Sequence, residues 1–172
     1  VIMKKSKNTN SSLAGNLYKY ISSNGSTHYF YEHENNLYKD EDGLSLTLEI
    51  INEETKEYKI TDKNGNKLIF TNSYLSKIEY LDETYITITR DINSNITNIK
   101  DSKNNSVNIT YEINKITFTS KKNIIVNLNN NLVSSIETKD GNITFEYNAY
   151  SLISKINDLT GMSVGFDYYD GL

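Results

Sequence analysis

Large apolar residues in this chain recur at every second position and almost never at helical spacing. Leu44, Leu46, Leu48 and Ile50 alternate with Ser45, Thr47 and Glu49. Val107, Ile109 and Tyr111 do the same, as do Ile124, Val126 and Leu128; Ile143, Phe145 and Tyr147; and Val164, Phe166 and Tyr168. A period of two puts the apolar side chains on one face of a strand and Thr, Asn, Gly or Glu on the other. Alanine, the best helix former, occurs only at Ala14 and Ala149. The pattern predicts an all-β protein.

The strands recur as a unit. Ile60 is followed by Asp62, Gly65, Leu68 and Phe70, at offsets 2, 5, 8 and 10. Ile99, with Asp101, Asn104, Val107 and Ile109, keeps the same offsets, and so does Ile156, with Asp158, Gly161, Val164 and Phe166. Weaker copies begin at Ile78, Ile116 and Ile136, so that six starts lie 17 to 21 residues apart. Each unit reads as a hairpin plus a link. A short strand ends near the isoleucine, an Asp-x-x-Gly or Asp-x-x-Asn turn follows, and an alternating strand returns. Asp accepts hydrogen bonds within its own turn, and Gly or Asn tolerates positive φ. Asn-rich stretches at Asp91–Asn95 and Asn129–Asn131 are expected to link one unit to the next. A further apolar residue stands three before most anchors: Leu75, Ile96, Ile113, Val133 and Ile153. A spacing of three leaves the face of a plain strand, which predicts these residues at turns or on the opposite face.

The expected architecture is a repetitive antiparallel β-hairpin meander of about 14 strands, a curved and twisted open strip, because sheets beyond ~10 strands curl, split or close. Residues 1–17 are expected to be a poorly ordered lead or linker, 18–59 lead-in hairpins, and 60–172 about six degenerate repeats cut off in mid-repeat at Leu172.

Composition narrows the chemistry. The chain has 172 residues and 37% apolar content, with no Pro, Cys or Trp. The apolar share is below the usual ~45–50%, yet its regular spacing argues against disorder. Without cysteine there is no disulfide, thiolate metal site or cysteine nucleophile. The net charge of −4 and the single arginine, Arg90, oppose a nucleic-acid partner, which needs a basic face. No apolar run is long enough for a membrane-spanning helix. A continuous sheet also excludes proline from its central strands.

The segment Thr89-Arg-Asp91-Ile-Asn-Ser-Asn-Ile96-Thr-Asn-Ile99-Lys-Asp101 resembles the YD repeat, in which Tyr-Asp precedes a short turn, often ending in Gly-Arg, and then apolar-x-x-Ile-x-Asp. Tyr147-Asn148 through Ile153, Ile156, Asp158 and Gly161 is similar to another copy, and Tyr169-Asp170-Gly171-Leu172 to the start of one. His28–Tyr31 and Tyr38–Leu48 resemble the lead-in of Gram-positive wall-associated Rhs proteins. The Tyr-Asp pair is replaced by Thr-Arg-Asp at 89–91, Tyr111-Glu112 and Tyr147-Asn148, and the Gly-Arg pair is missing. Arg90 stands where the pattern has tyrosine. The resemblance implies a large secreted or cell-surface protein of a Gram-positive bacterium, whose repeats coil into a β-shell scaffold that encloses or presents a C-terminal toxin or effector. The remainder of that parent chain is then the expected partner. The self-cleaving aspartate core of such shells is not matched at Asp170-Gly171-Leu172.

Candidate chemistry is sparse. His28 and His33 lie near Glu32, Glu34, Asp40, Glu41 and Asp42. Such a cluster could bind a divalent cation through oxygen ligands. Residues 28 and 33, however, point to opposite faces of a plain strand and reach one metal only if the chain bends between them. The preferred reading is a strand histidine beside an acidic turn ending in Gly43, with no metal site expected. Glu53 with Glu54, Asp82 with Glu83, and Asp101 sit in expected turns, where solvent keeps a carboxylate ordinary, unlike a glycosidase pair. No Gly-x-Ser-x-Gly elbow is present. The expectation is a non-enzyme with no catalytic residues and no cofactor. Tyr18, Tyr20, Tyr29, Phe30 and Tyr31 form an aromatic cluster, read first as cross-strand packing. The alternative function is a surface module in which Tyr29 and Tyr31 bind a cell-wall glycan or a surface protein. An unpaired strand near Tyr168 is expected to promote edge-to-edge self-association of the fragment.

Overall fold

The computed structural model describes residues 2–5 and 17–169. Among them are seventeen strands and no helix, so no helix is long and apolar enough to cross a membrane. The fold is the expected all-β meander of antiparallel hairpins, with more strands than the expected fourteen. Asp170, Gly171 and Leu172 lie outside the described residues, as do 6–16 of the expected lead. The rest of that lead departs from expectation: Ile2–Lys5 forms a strand whose Ile2 pairs with Tyr20 and is fully buried.

The chain divides into two compact units, 1–89 with 99–105, and 90–98 with 106–172. In the first, β1 (Ile2–Lys5), β2 (Leu17–Ile21), β3 (Thr27–Glu34), β4 (Leu37–Asp40), β5 (Thr47–Asn52), β6 (Glu57–Thr61), β7 (Lys67–Thr71), β8 (Tyr74–Glu79) and β9 (Tyr85–Arg90) pair consecutively and antiparallel. Strands β2 and β7 are five positions apart, roughly 24 Å in a flat sheet. Yet the Tyr20 and Phe70 rings on them stand edge to face at 5.9 Å. The Ile2 amide also donates to the Ser73 carbonyl in the β7–β8 loop, at 3.1 Å. The sheet therefore curls on itself and encloses Ile2, Tyr18, Phe30, Leu48, Ile60 and Phe70, each almost wholly buried.

Strand β10 (Ile96–Asp101) precedes the second meander, made of β11 (Ser106–Glu112), β12 (Lys115–Thr119), β13 (Ile124–Asn129), β14 (Leu132–Thr138), β15 (Gly141–Tyr147), β16 (Ile153–Asn157) and β17 (Ser163–Gly165). Its register aligns Tyr111, Ile116, Val126, Ile136 and Ile143 across five strands, and Phe145, Ile156 and Val164 across three. One face is thus apolar. The other is polar and internally bonded: Asn127 Nδ2 donates to Ser135 Oγ at 2.9 Å, and Asn157 Nδ2 to Thr144 Oγ1 at 2.9 Å.

The turns explain the repeat. In 62–66, the Gly65 amide donates to the Asp62 carbonyl at 3.0 Å, and the Asp62 amide to the Asn66 carbonyl at 3.0 Å. Asp62 Oδ1 accepts from the amides of Asn64 and Asn66, at 2.8 and 3.0 Å. The fourth residue, Gly65, has φ +86. This is a type I turn closed by a residue in the left-handed region. Turns 91–95, 101–105, 148–152 and 158–162 repeat those bonds, with Ser94, Asn104, Ser151 and Gly161 at positive φ. The expected links do join successive units, and they do so as tight hairpin turns. Asp91–Asn95 is a hairpin turn of the same type, and Asn130-Asn131, with φ 49 and 63, is a two-residue hairpin turn.

The apolar residues three before the anchors are also corrected. Leu75 pairs with Phe70 and Ile78 with Leu68, although Phe70 and Leu68 share a face. A β-bulge at Ser76 absorbs the extra residue and returns Leu75 to the apolar side. Bulges at Ser134 and Ser154 do the same for Val133, opposite Leu128, and Ile153, opposite Tyr147. Ile113 lies in the short β11–β12 turn, as expected, and is exposed.

Candidate functional site

The aromatic cluster expected at the start of the chain is divided by its strands. Tyr18 pairs with Phe30 and points inward, where its ring meets Tyr38 at 4.9 Å and Tyr58 at 5.6 Å, both edge to face. Burial, and then the neighbouring Glu53 carboxylate, push the Tyr18 phenol up from its ordinary value, and its hydroxyl donates to Glu53 Oε1 at 3.3 Å. Tyr20 stacks on His28 at 5.8 Å, and burial raises its phenol too. These rings are packing groups. Tyr29 and Tyr31 alternate with Phe30 and so lie on the opposite face, half-buried. Tyr29 stands across from Lys19, and Tyr31 from Leu17 on one side and Lys39 on the other. The result is a polar aromatic strip on β3, bordered by two lysines.

The polar residues after it are held apart. His28 Nδ1 meets Asp42 Oδ2 at 2.9 Å, while Lys39 Nζ donates to His33 Nε2 at 2.8 Å. The two histidines serve different partners. Asp40 is buried and accepts from the Leu44 and Leu46 amides, each at 2.7 Å, which folds the 41–46 loop over it. No group of three or more His, Asp or Glu is arranged to hold a metal ion among the described residues.

Two of the carboxylates weighed for catalysis are engaged in their own turns. Asp82 Oδ1 accepts from the Thr84 amide and hydroxyl, at 3.0 and 2.6 Å, and those bonds hold its carboxyl below the ordinary range. Asp101 is lowered mainly by its Asn105 side-chain bond. A general acid at neutral pH needs the opposite shift.

One recurring contact was invisible to the strand pattern. The phenols of Tyr111, Tyr147 and Tyr168 donate to the carbonyls of Ile96, Val133 and Ile153, at 3.0, 2.8 and 2.8 Å. Each acceptor is the first residue of an apolar-x-x-Ile motif, 14 or 15 positions earlier. The signal was present as that fixed spacing between tyrosine and apolar residue. The tyrosine at the end of each return segment thereby ties it to the opening strand of its own unit, and a neutral hydrogen bond of this kind is worth about 1 kcal/mol. Arg90, fifteen after Leu75, holds the equivalent position at the end of β9, and its Nη1 donates to the Ser94 carbonyl at 2.9 Å. That gives the lone arginine a role in closing its own turn. No family model matches the chain, and no curated protein matches it.

Proposed function

We propose that the chain is a non-catalytic structural segment of a large secreted or cell-surface YD-repeat protein, contributing a stretch of β-scaffold that encloses or presents a C-terminal effector. The observation that carries the reading is the repeated unit itself: one turn chemistry, one serine bulge and one tyrosine-to-carbonyl bond recur along the second meander. Such neighbour-to-neighbour stabilisation is how repeat scaffolds extend. Antibodies against the chain, applied to intact cells of the source bacterium, test it. Labelling of intact cells, or recovery of the antigen from the medium, is expected. Labelling only after lysis overturns it.

A second reading is favoured by the strip on β3. Tyr29 and Tyr31, between Lys19 and Lys39, offer ring faces for stacking and ammonium groups for hydroxyl or carboxylate contacts. In that reading the segment binds a cell-wall glycan or a surface protein. A glycan array with the whole chain checks it: saturable binding lost in Tyr29→Ala and Tyr31→Ala is the expected result, and binding unaffected by both excludes this face.

A further inference from the structure

We propose that the apolar face of the second unit is an interface for a second copy of this chain, the two faces packing as layers of a β-sandwich. The inference rests on that face alone and is independent of the family reading. Both units carry the same alternating pattern, but they end differently. The first curls and buries a core of eight apolar side chains, from Ile2 to Phe70, almost completely. In the second, Ile109 is the one buried apolar side chain among the described residues. On the same face Ile124 remains 39%, Tyr111 44% and Val164 59% exposed.

The face favours a copy of itself over a charged or strongly polar partner. The residues aligned across it by the strand register include no Lys, Arg, Asp or Glu. A charged ligand would lose its water there and gain no counter-charge. An identical apolar face satisfies both sides, and sheets pack face to face at about 10 Å with strands aligned within ~30°. The size also fits. Seven strands at ~4.8 Å span roughly 34 Å, and about five residues at ~3.4 Å give roughly 17 Å, so each copy contributes close to ~600 Å². Two such faces together reach roughly 1,200 Å², the lower bound for a specific association. The dimer should accordingly be weak and concentration-dependent, with no covalent cross-link, since the chain has no cysteine.

Sedimentation equilibrium of the whole chain from low to high micromolar concentration tests the proposal. Wild type is expected to pass from monomer to dimer. Ile124→Lys should weaken dimerisation at least ~10-fold, because it buries a charge without a partner. Val164→Lys, at a more exposed point of the same face, repeats the test if Ile124→Lys does not fold by circular dichroism. Thr117→Lys, on the polar face, should leave the dissociation constant unchanged. A wild type that stays monomeric throughout overturns the proposal. So does a dimer that persists unchanged in Ile124→Lys and Val164→Lys, which would point to edge-to-edge strand pairing instead.

Discussion

Deleting one residue from a strand usually turns half of its side chains to the wrong face. The bulges make one exception predictable. Ser154 is the extra residue between Ile153 and Lys155, and the partner strand has no residue opposite it. With Ser154 deleted, Ile153 and Ile156 become two apart and stay on the apolar face of a plain strand. What is lost is the bond from the Phe166 amide to the Ser154 carbonyl, 2.9 Å long, which is worth about 1 kcal/mol. Deleting Thr144 from β15 is different. Ile143 and Phe145 become adjacent, so either Ile143 or both Phe145 and Tyr147 must leave the face. A half-buried side chain of that size is worth about half of the 1.5–3 kcal/mol of full burial, and the bond from Asn157 Nδ2 to Thr144 Oγ1 goes as well. We expect the Thr144 deletion to cost about 1 kcal/mol more than the Ser154 deletion. In urea titrations followed by circular dichroism, that gap separates the midpoints by roughly 0.5 M. Equal losses, or a greater loss for the Ser154 deletion, would refute the bulge assignment and with it the shared face of Ile153 and Ile156.

Three other outcomes are expected. Tyr147→Phe should lower stability by about 1 kcal/mol in urea titration, through its lost bond to the Val133 carbonyl, and Tyr168→Phe by less because its bond is exposed to water. Phe70→Ala, which empties a fully buried position beside Tyr20, should cost about 3–5 kcal/mol by the same measurement. Asp62, Asp101 and Asp158 have carboxyls held below the ordinary 3.8 by bonds from Asn66, Asn105 and Thr160. A carboxyl lowered by folding stabilises the fold above its unfolded value, and that contribution fades as pH falls through the lowered one. Replacing all three by Asn, which accepts the same turn amides at Asn148, should therefore flatten the acid loss of stability in urea midpoints compared between neutral and strongly acid pH.

Alternation made the strands readable because each is a run of inward and outward positions with no competing helical period. The Asp62, Asp101 and Asp158 turns were equally readable, since their chemistry is confined to five residues. Asp91–Asn95 is legible as a link but not as a turn of the same type, because its fourth residue is Ser94, which adopts positive φ without being Gly or Asn. Leu75, Val133 and Ile153 were misplaced for a longer-range reason. A bulge is a relation between two strands, and one strand's sequence records only an unexplained spacing of three. The strand β1 escaped notice because its support lies elsewhere: Ile2 is held by Tyr20 and by Ser73. Within the aromatic cluster, alternation alone separates Tyr29 and Tyr31 from Phe30. It could not reveal that the curl brings Tyr20 onto Phe70.

The self-contained turns have a consequence for how such a chain changes length. Because the backbone and aspartate bonds of 62–66, 101–105 and 158–162 close within five residues, a hairpin carries its own corner wherever it is inserted. Strand direction, however, is set by parity. Gaining or losing two strands returns the chain to the same side of the sheet with every later residue on its former face. Gaining one sends all following turns to the opposite side. Duplication and loss in a gene of this kind should therefore proceed in whole hairpins, with the segment between one aspartate turn and its next same-side counterpart as the heritable module.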